Sequence, residues 1–470
     1  RLNSDKSNAA TAKDLSGGWY DAGDYNKYTS WAADYVVTLL HAYIENPAAW
    51  GDDFNIPESG NGIPDIIDEA KVGLDWLVKM QNATGNNSVL SIVGMDGKSP
   101  PSATTGPSYY GSASTNATLS TAGAFAFASK VLEDLNIASL NAYSADLENR
   151  AENAWTWAVA NPNVLFYNND ESKQPNSANL GAGQQETDAS GRAMKKRLAA
   201  IYLFAATGKS IYRDFIDANY TSAPLKAWSN FADPFRETEN TALLYYSNLS
   251  GATGNVATDI KSSYSMAMNG TSNWLAIDGA SENSVNKDPY RAYLQENEYT
   301  WGSNSVKSLK GSMFLNLISF GINGTDTAKA KNAGLRYINY LHGVNPQGKV
   351  YLSNMYKLGV HSSVNEFYHT WFSDGSARWD RVGTSTYGPA PGFLVGGPNP
   401  GYDWDGFCNS NPADTRCSGG APTPPKGQPP QKAYKDFNTS WPINSWSVTE
   451  NSNGYQSNYL RLLSKFVTNP

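Results

Sequence analysis

Residues 16–25 read Ser-Gly-Gly-Trp-Tyr-Asp-Ala-Gly-Asp-Tyr, which sets Asp21 and Asp24 three positions apart among glycines and aromatic rings. On a helix, that spacing would put both carboxylates on one face. Gly17, Gly18 and Gly23 favour a tight loop with exposed backbone instead. Two acids held together on a loop can orient a water molecule and remove its proton. Asp and Gly also build ordinary polar turns that bond their own backbone. The flanking residues weigh against that blander account.

The stretch resembles the Asp-Ala-Gly-Asp motif of glycoside hydrolase family nine, the inverting cellulases. In that family the motif follows Ser-Gly-Gly-Trp and precedes an aromatic or His and a Lys, as Tyr25 and Lys27 do here. The resemblance extends, with gaps, from about Asp14 to the last helix. It implies a second carboxyl on the far side of the water, kept protonated for the leaving oxygen. Glu450 matches that position, with Trp446 four residues before it and Asn458 eight after. Alone, a Glu at a helix start reads as a cap or a dipole partner. Tyr455 matches a ring expected to floor the sugar at the cleavage point. Where the family signature has an Asp, nine residues before the acid, this chain has Trp441. Asp436, displaced by a local insertion, is the candidate substitute. The resemblance thus implies Asp24 as general base, Asp21 as its helper and Glu450 as general acid. Base and acid in such enzymes stand about 6.5–9.5 Å apart.

Two further segments carry the resemblance. Tyr299-Thr-Trp-Gly-Ser-Asn304 resembles the segment that opens a barrel helix, with Trp301 as either a sugar-binding ring or a structural one. Gly343-Val-Asn-Pro346 resembles the stretch before the family's His-His-Arg substrate clamp, which is degraded here. Its nearest counterparts are His369, within Tyr368-His369-Thr370, and Arg378. His369 is either a sugar contact or a wall residue satisfied by hydrogen bonds.

No cofactor is expected for catalysis, because the four histidines (41, 342, 361 and 369) show no zinc-type spacing. Family members carry a structural calcium on an Asp-Glu pair, and alignment back from Ala206-Thr-Gly208 puts Met194 and Lys195 there. That calcium site is expected to be lost. Asp403-Trp-Asp405-Gly and the run Asn409 to Asp414 are oxygen-rich, either as calcium loops or as solvated turns. Structural calcium is left without an assigned site.

The bulk composition fits a sugar-binding enzyme. The 470 residues are 12% aromatic, 17% charged and 40% hydrophobic, with a net charge of −7 and no basic block. That excludes a nucleic-acid surface. It also leaves rings to face solvent, where pyranose C–H faces lie against them. No run of 18 apolar residues could span a membrane. Cys408 and Cys417 in a Gly/Pro/Asn-rich loop suggest a local disulfide in an exported protein, against free thiols as the alternative. Eight Asn-X-Ser/Thr sequons depend on the host for any glycan. A β-glucan polysaccharide or oligosaccharide is the expected partner, with the chain a monomer and accessory modules outside it.

The elements that must position these groups are helices. Apolar spacing predicts them near 31–43, 62–77, 117–134, 144–160, 189–207, 210–219, 239–248, 256–269, 303–319, 326–342 and 455–467. Residues 83–116 lack periodicity and read as a long surface loop. Residues 384–435, dense in Gly and Pro, read as an elaborated loop within one catalytic domain spanning 1–470 rather than an interdomain linker, since the final helix carries chemistry. The fold class is all-α, and the resemblance sharpens it to an (α/α)6 barrel of twelve helices. The family's first barrel helix has no counterpart in residues 1–15, which are short and polar. An exo-acting glycosidase of the same family, on cello- or glucosamine oligosaccharides, is the alternative activity. A non-catalytic glycan-binding toroid is the rival outside enzymes. Neither a G-x-S-x-G elbow nor a nucleotide-binding glycine loop occurs.

Overall fold

The computed structural model describes residues 1–470 except 96–97, 174–179, 271–273, 275–287, 372–375, 405 and 469–470. Its described residues form eleven helices of ten residues or more: α1 Thr29–Glu45, α2 Asp65–Asn82, α3 Thr115–Leu135, α4 Asn141–Ala160, α5 Ala189–Thr207, α6 Ser210–Asn219, α7 Glu237–Asn248, α8 Gly254–Asn269, α9 Ser303–Ser319, α10 Thr327–Leu341 and α11 Asn453–Ser464. The odd-numbered helices form an inner ring. Each packs on its odd-numbered neighbours, and the ring closes where α11 lies against both α1 and α9. The even-numbered helices pack outside it.

Inner and outer helices differ as burial requires. Inner α3 is buried nearly all round. Outer α2 buries one stripe, with Ile67, Ala70, Leu74 and Leu77 each at most 2% exposed, and turns Glu69, Asp75 and Asn82 outward. Local signals set the ends. Ser114 caps α3 by accepting from Ala117 N, and Asp188 caps α5 by accepting from Gly191 N. Gly208 ends α5 at a φ of 65°.

Residues 1–15 hold two short 3₁₀ turns, Asn3–Asp5 and Ala9–Thr11, and no α-helix. The sixth outer helix of the ring therefore has no counterpart among the described residues, as expected. Residues 83–116 depart from expectation: they include two strands of a small antiparallel sheet. Strand β2 (Ile92–Met95) pairs antiparallel with β1 (Lys27–Tyr28) on one side and β3 (Ser108–Tyr110) on the other. Strands this short leave no readable alternation in sequence, although their β-branched and aromatic residues suit a sheet. This small sheet braces the chain just after Asp24.

Ring closure rests on charge as well as apolar contact. Arg461 of α11 is 3% exposed and donates to Glu45 of α1 at 2.8 Å and to Glu237 of α7 at 2.7 Å. Removing one partner of such a buried set costs about 3–5 kcal/mol, because the other charge is left uncompensated. The last helix, and the turn just before it, are thereby fixed against the first. The 384–435 region packs back on that turn. Gly396 N donates to Glu450 O at 2.9 Å, and Gly397 N to Val448 O at 2.8 Å. Cys408 and Cys417 are joined within it.

Candidate active site

The Asp21–Asp24 loop folds on itself. Asp21 N donates to Asn26 O at 2.8 Å, which closes the six-residue turn. The Tyr35 hydroxyl, on α1, donates to Asp21 Oδ1. Asn26 donates to Asp24 twice, from its backbone N to Oδ1 at 3.1 Å and from Nδ2 to Oδ2 at 2.6 Å. Tyr25 anchors the loop to the opposite wall by donating to Thr370 O at 3.0 Å.

Glu450 ends the single helical turn Trp446–Thr449 and meets this loop directly. Gly23 N donates to Glu450 Oε1 at 3.0 Å across 427 residues of chain. The start of α11 seals the junction, with Asn453 N donating to Asp21 O at 2.9 Å and Asn453 Nδ2 to Tyr20 O at 2.6 Å. All three carboxyls line one cleft of about 1130 Å³. Its walls include Trp301, Tyr368, Trp446 and Tyr455. A second hollow of about 410 Å³ adjoins it and shares Trp301 and Trp446.

Burial dominates the electrostatics. It pushes the Asp21 carboxyl up to about 7, against the Tyr35 bond, with the nearby Asp24 charge adding to the rise. Burial also raises Asp24, and both bonds from Asn26 oppose that rise. Glu450 lies well above the usual carboxyl range, first from burial and then from the Asp24 charge, against a bond from Gly23 N. The nearby Trp301 side chain opposes the rise slightly. One acid is thus held for its protonated form while another receives donors that favour its anion, which is the asymmetry acid–base chemistry needs.

Gly23 is required by close approach. A Cβ there would lie 2.6 Å from Tyr368 Cδ1 and 2.9 Å from Glu450 Oε1. Gly23→Ala is expected to lower kcat/KM by about 10²-fold, because a displacement of about 1 Å at the acid costs that much. Steady-state kinetics beside a melting curve checks this, with the fold retained.

The other expected residues divide. Trp301 is 48% exposed and faces the cleft, and Tyr455 lines it as well. Asn458 bonds Ser305 Oγ at 3.0 Å and so ties α11 to α9. His369 does not reach the cleft: it is fully buried, with its ring against Phe367 and Trp371, and its neighbour Tyr368 supplies the wall. Arg378 is exposed and lies outside the cleft lining. Asp436 is bonded by Lys349 and by Asn365 N and is not among the residues lining the cleft, whereas Trp441 lines it. Sequence reasoning missed Tyr35 and Asn26. The Asn26 spacing, two residues after Asp24, is an Asx-turn pattern that could have been read.

The residues do not fit the family's calcium. Lys195 spends its ammonium on both Asp34 oxygens, at 2.7 and 2.6 Å. Asn409 accepts from Trp404 Nε1, and Asp414 pairs with Arg416. Asp405 lies outside the described residues. Among the described residues, no group of three or more His, Cys, Asp or Glu is placed to hold a metal ion.

A model of glycosyl hydrolase family 9 matches residues 2–463. The chain belongs to glycosyl hydrolase family 9. Among curated relatives, it is 26% identical to a cellulose 1,4-beta-cellobiosidase of Acetivibrio thermocellus over 94% of this chain and 48% of that protein. It is 27% identical to a xyloglucan-specific endo-beta-1,4-glucanase of Bacteroides ovatus, over 85% of this chain and 63% of that one. The chain therefore spans about half to two thirds of these relatives. A metagenome-derived family 9 endoglucanase of solved structure superposes with a TM-score of 0.71 at 23% identity, covering 96% of this chain and 71% of that one. The likeness identifies the fold as the (α/α)6 barrel of family 9.

Proposed function

We propose that this family 9 domain hydrolyses β-1,4-glucosidic bonds in cellulose or a related β-glucan with inversion at the anomeric carbon. Asp24 takes the proton of the attacking water, Asp21 helps to hold that water, and Glu450 protonates the leaving oxygen. The observation that carries this reading is the meeting of Glu450 with the Asp21–Asp24 loop, through Gly23, inside one ring-lined cleft. Water and proton donor then act from opposite sides of one sugar. Trp301 and Tyr455 are read as rings that sugar faces lie against.

The adjoining hollow past Trp301 and Trp446 gives a chain room to continue, which favours a polymer substrate over a short closed pocket. The relatives named above act on cellulose and on xyloglucan, so the backbone linkage is better supported than its decoration. The chain is read as one catalytic domain, and the Cys408–Cys417 bridge supports an exported protein. No helix among the described residues is long and apolar enough to cross a membrane. Reducing-end release from a soluble β-1,4-glucan, with a product profile from cellohexaose, tests the reading. Mixed internal cleavage products are expected. A single short product from one end would replace the endo mode with an exo-acting one, and no release from any β-glucan would overturn the activity.

A further inference from the structure

We propose that Asn26 is the positioning residue for the general base, clamping both oxygens of Asp24 and holding that carboxylate in its ionised form. The inference rests on Asp24 being the base, as assigned above.

The geometry is specific. One residue supplies a donor to each carboxylate oxygen, its backbone N to Oδ1 and its Nδ2 to Oδ2. Its carbonyl accepts from Asp21 N at 2.8 Å, so the same residue also fixes the backbone of the second acid. Asn26 is 6% exposed and lines the cleft. Its amide can face only one way, because Oδ1 turned toward Asp24 would oppose an anion. Oδ1 instead sits beside Gly94 of β2, where a Cβ would lie 2.7 Å from it. The pairing of Lys27 with Val93 locks the adjoining backbone.

The surroundings make this clamp necessary. Asp24 is faced by Asp21 on its own loop, by Glu450 from the turn before α11, by Tyr28 at the foot of α1 and by Tyr368 from the opposite wall. Carboxyls and phenols cannot stabilise an anion as a cation would, and burial already disfavours it. Two donors from one rigid side chain and backbone answer that cost.

The test is the pH dependence of kcat/KM on a soluble β-1,4-glucan for Asn26→Ala, Asn26→Ser and Asn26→Asp, with melting curves and Asp24→Asn in parallel. Asn26→Ala is expected to move the acidic limb upward by about one pH unit, so that activity falls about tenfold on that limb and recovers toward neutral pH. Asn26→Asp, which adds a charge, should move it further. Asn26→Ser keeps a short donor, should stay nearer wild type, and carries the test if the alanine variant does not fold. A uniform loss at every pH, with the limb unmoved, would make Asn26 a merely structural residue and overturn the proposal. Full turnover in Asp24→Asn would instead overturn the base assignment beneath it.

Discussion

Glu450→Gln is expected to lower kcat on soluble β-glucan by about 10³-fold while the protein folds as before. The amide has the shape of the protonated acid, and its Oε1 can still accept from Gly23 N. What it lacks is a proton to give. A substrate whose leaving group needs no proton, such as a dinitrophenyl cellobioside, should therefore keep far more of its rate. Stability should hold or rise, because the substitution removes a carboxyl that burial and the Asp24 charge make costly to ionise. Initial rates on both substrates and a melting curve check this. Equal losses on the two substrates would remove Glu450 from the role of proton donor.

Asp24→Asn should cost about as much, but with a different pattern. Water must be activated whatever the leaving group, so both substrates should lose equally. Stability should fall by about 1 kcal/mol, since Asn26 Nδ2 and backbone N currently donate to two oxygens and the amide offers one. The pair also sets the pH profile. In the proposed mechanism Asp24 works ionised and Glu450 protonated, so Asp24 should govern the acidic limb and Glu450 the alkaline one. Burial raises both groups, and the Asn26 donors hold Asp24 lower, which opens a working window between them. Asp21, pushed up to about 7, adds negative charge beside both as it ionises through that pH, and the three carboxyls titrate as a coupled set.

Much of this was legible in the sequence, for a physical reason. Long helices carry several turns of apolar periodicity, so α5, α6 and α9 fall on the spans 189–207, 210–219 and 303–319 expected from sequence. Strands β2 and β3, of four and three residues, carry too few positions for any period to emerge. The carboxyls proposed as catalytic were readable because their glycine and aromatic setting is local. The wall was not: whether Tyr368 or His369 faces the cleft depends on how an irregular segment packs against Trp446 and Trp371. Tyr35 was hidden for a related reason. It lies on α1, expected from apolar spacing alone, and only the fold brings its hydroxyl onto Asp21.

The proposed two-sided attack, with water at Asp24 and the proton donor at Glu450, makes one measurement decisive. Proton NMR of the first products from cellohexaose reports the configuration at the newly formed reducing end before mutarotation scrambles it. The arrangement predicts the α-anomer first, from direct attack by water held at Asp24. A β-anomer appearing first would mean a covalent intermediate and two displacements, and Asp24 could not then be the base for a single attack.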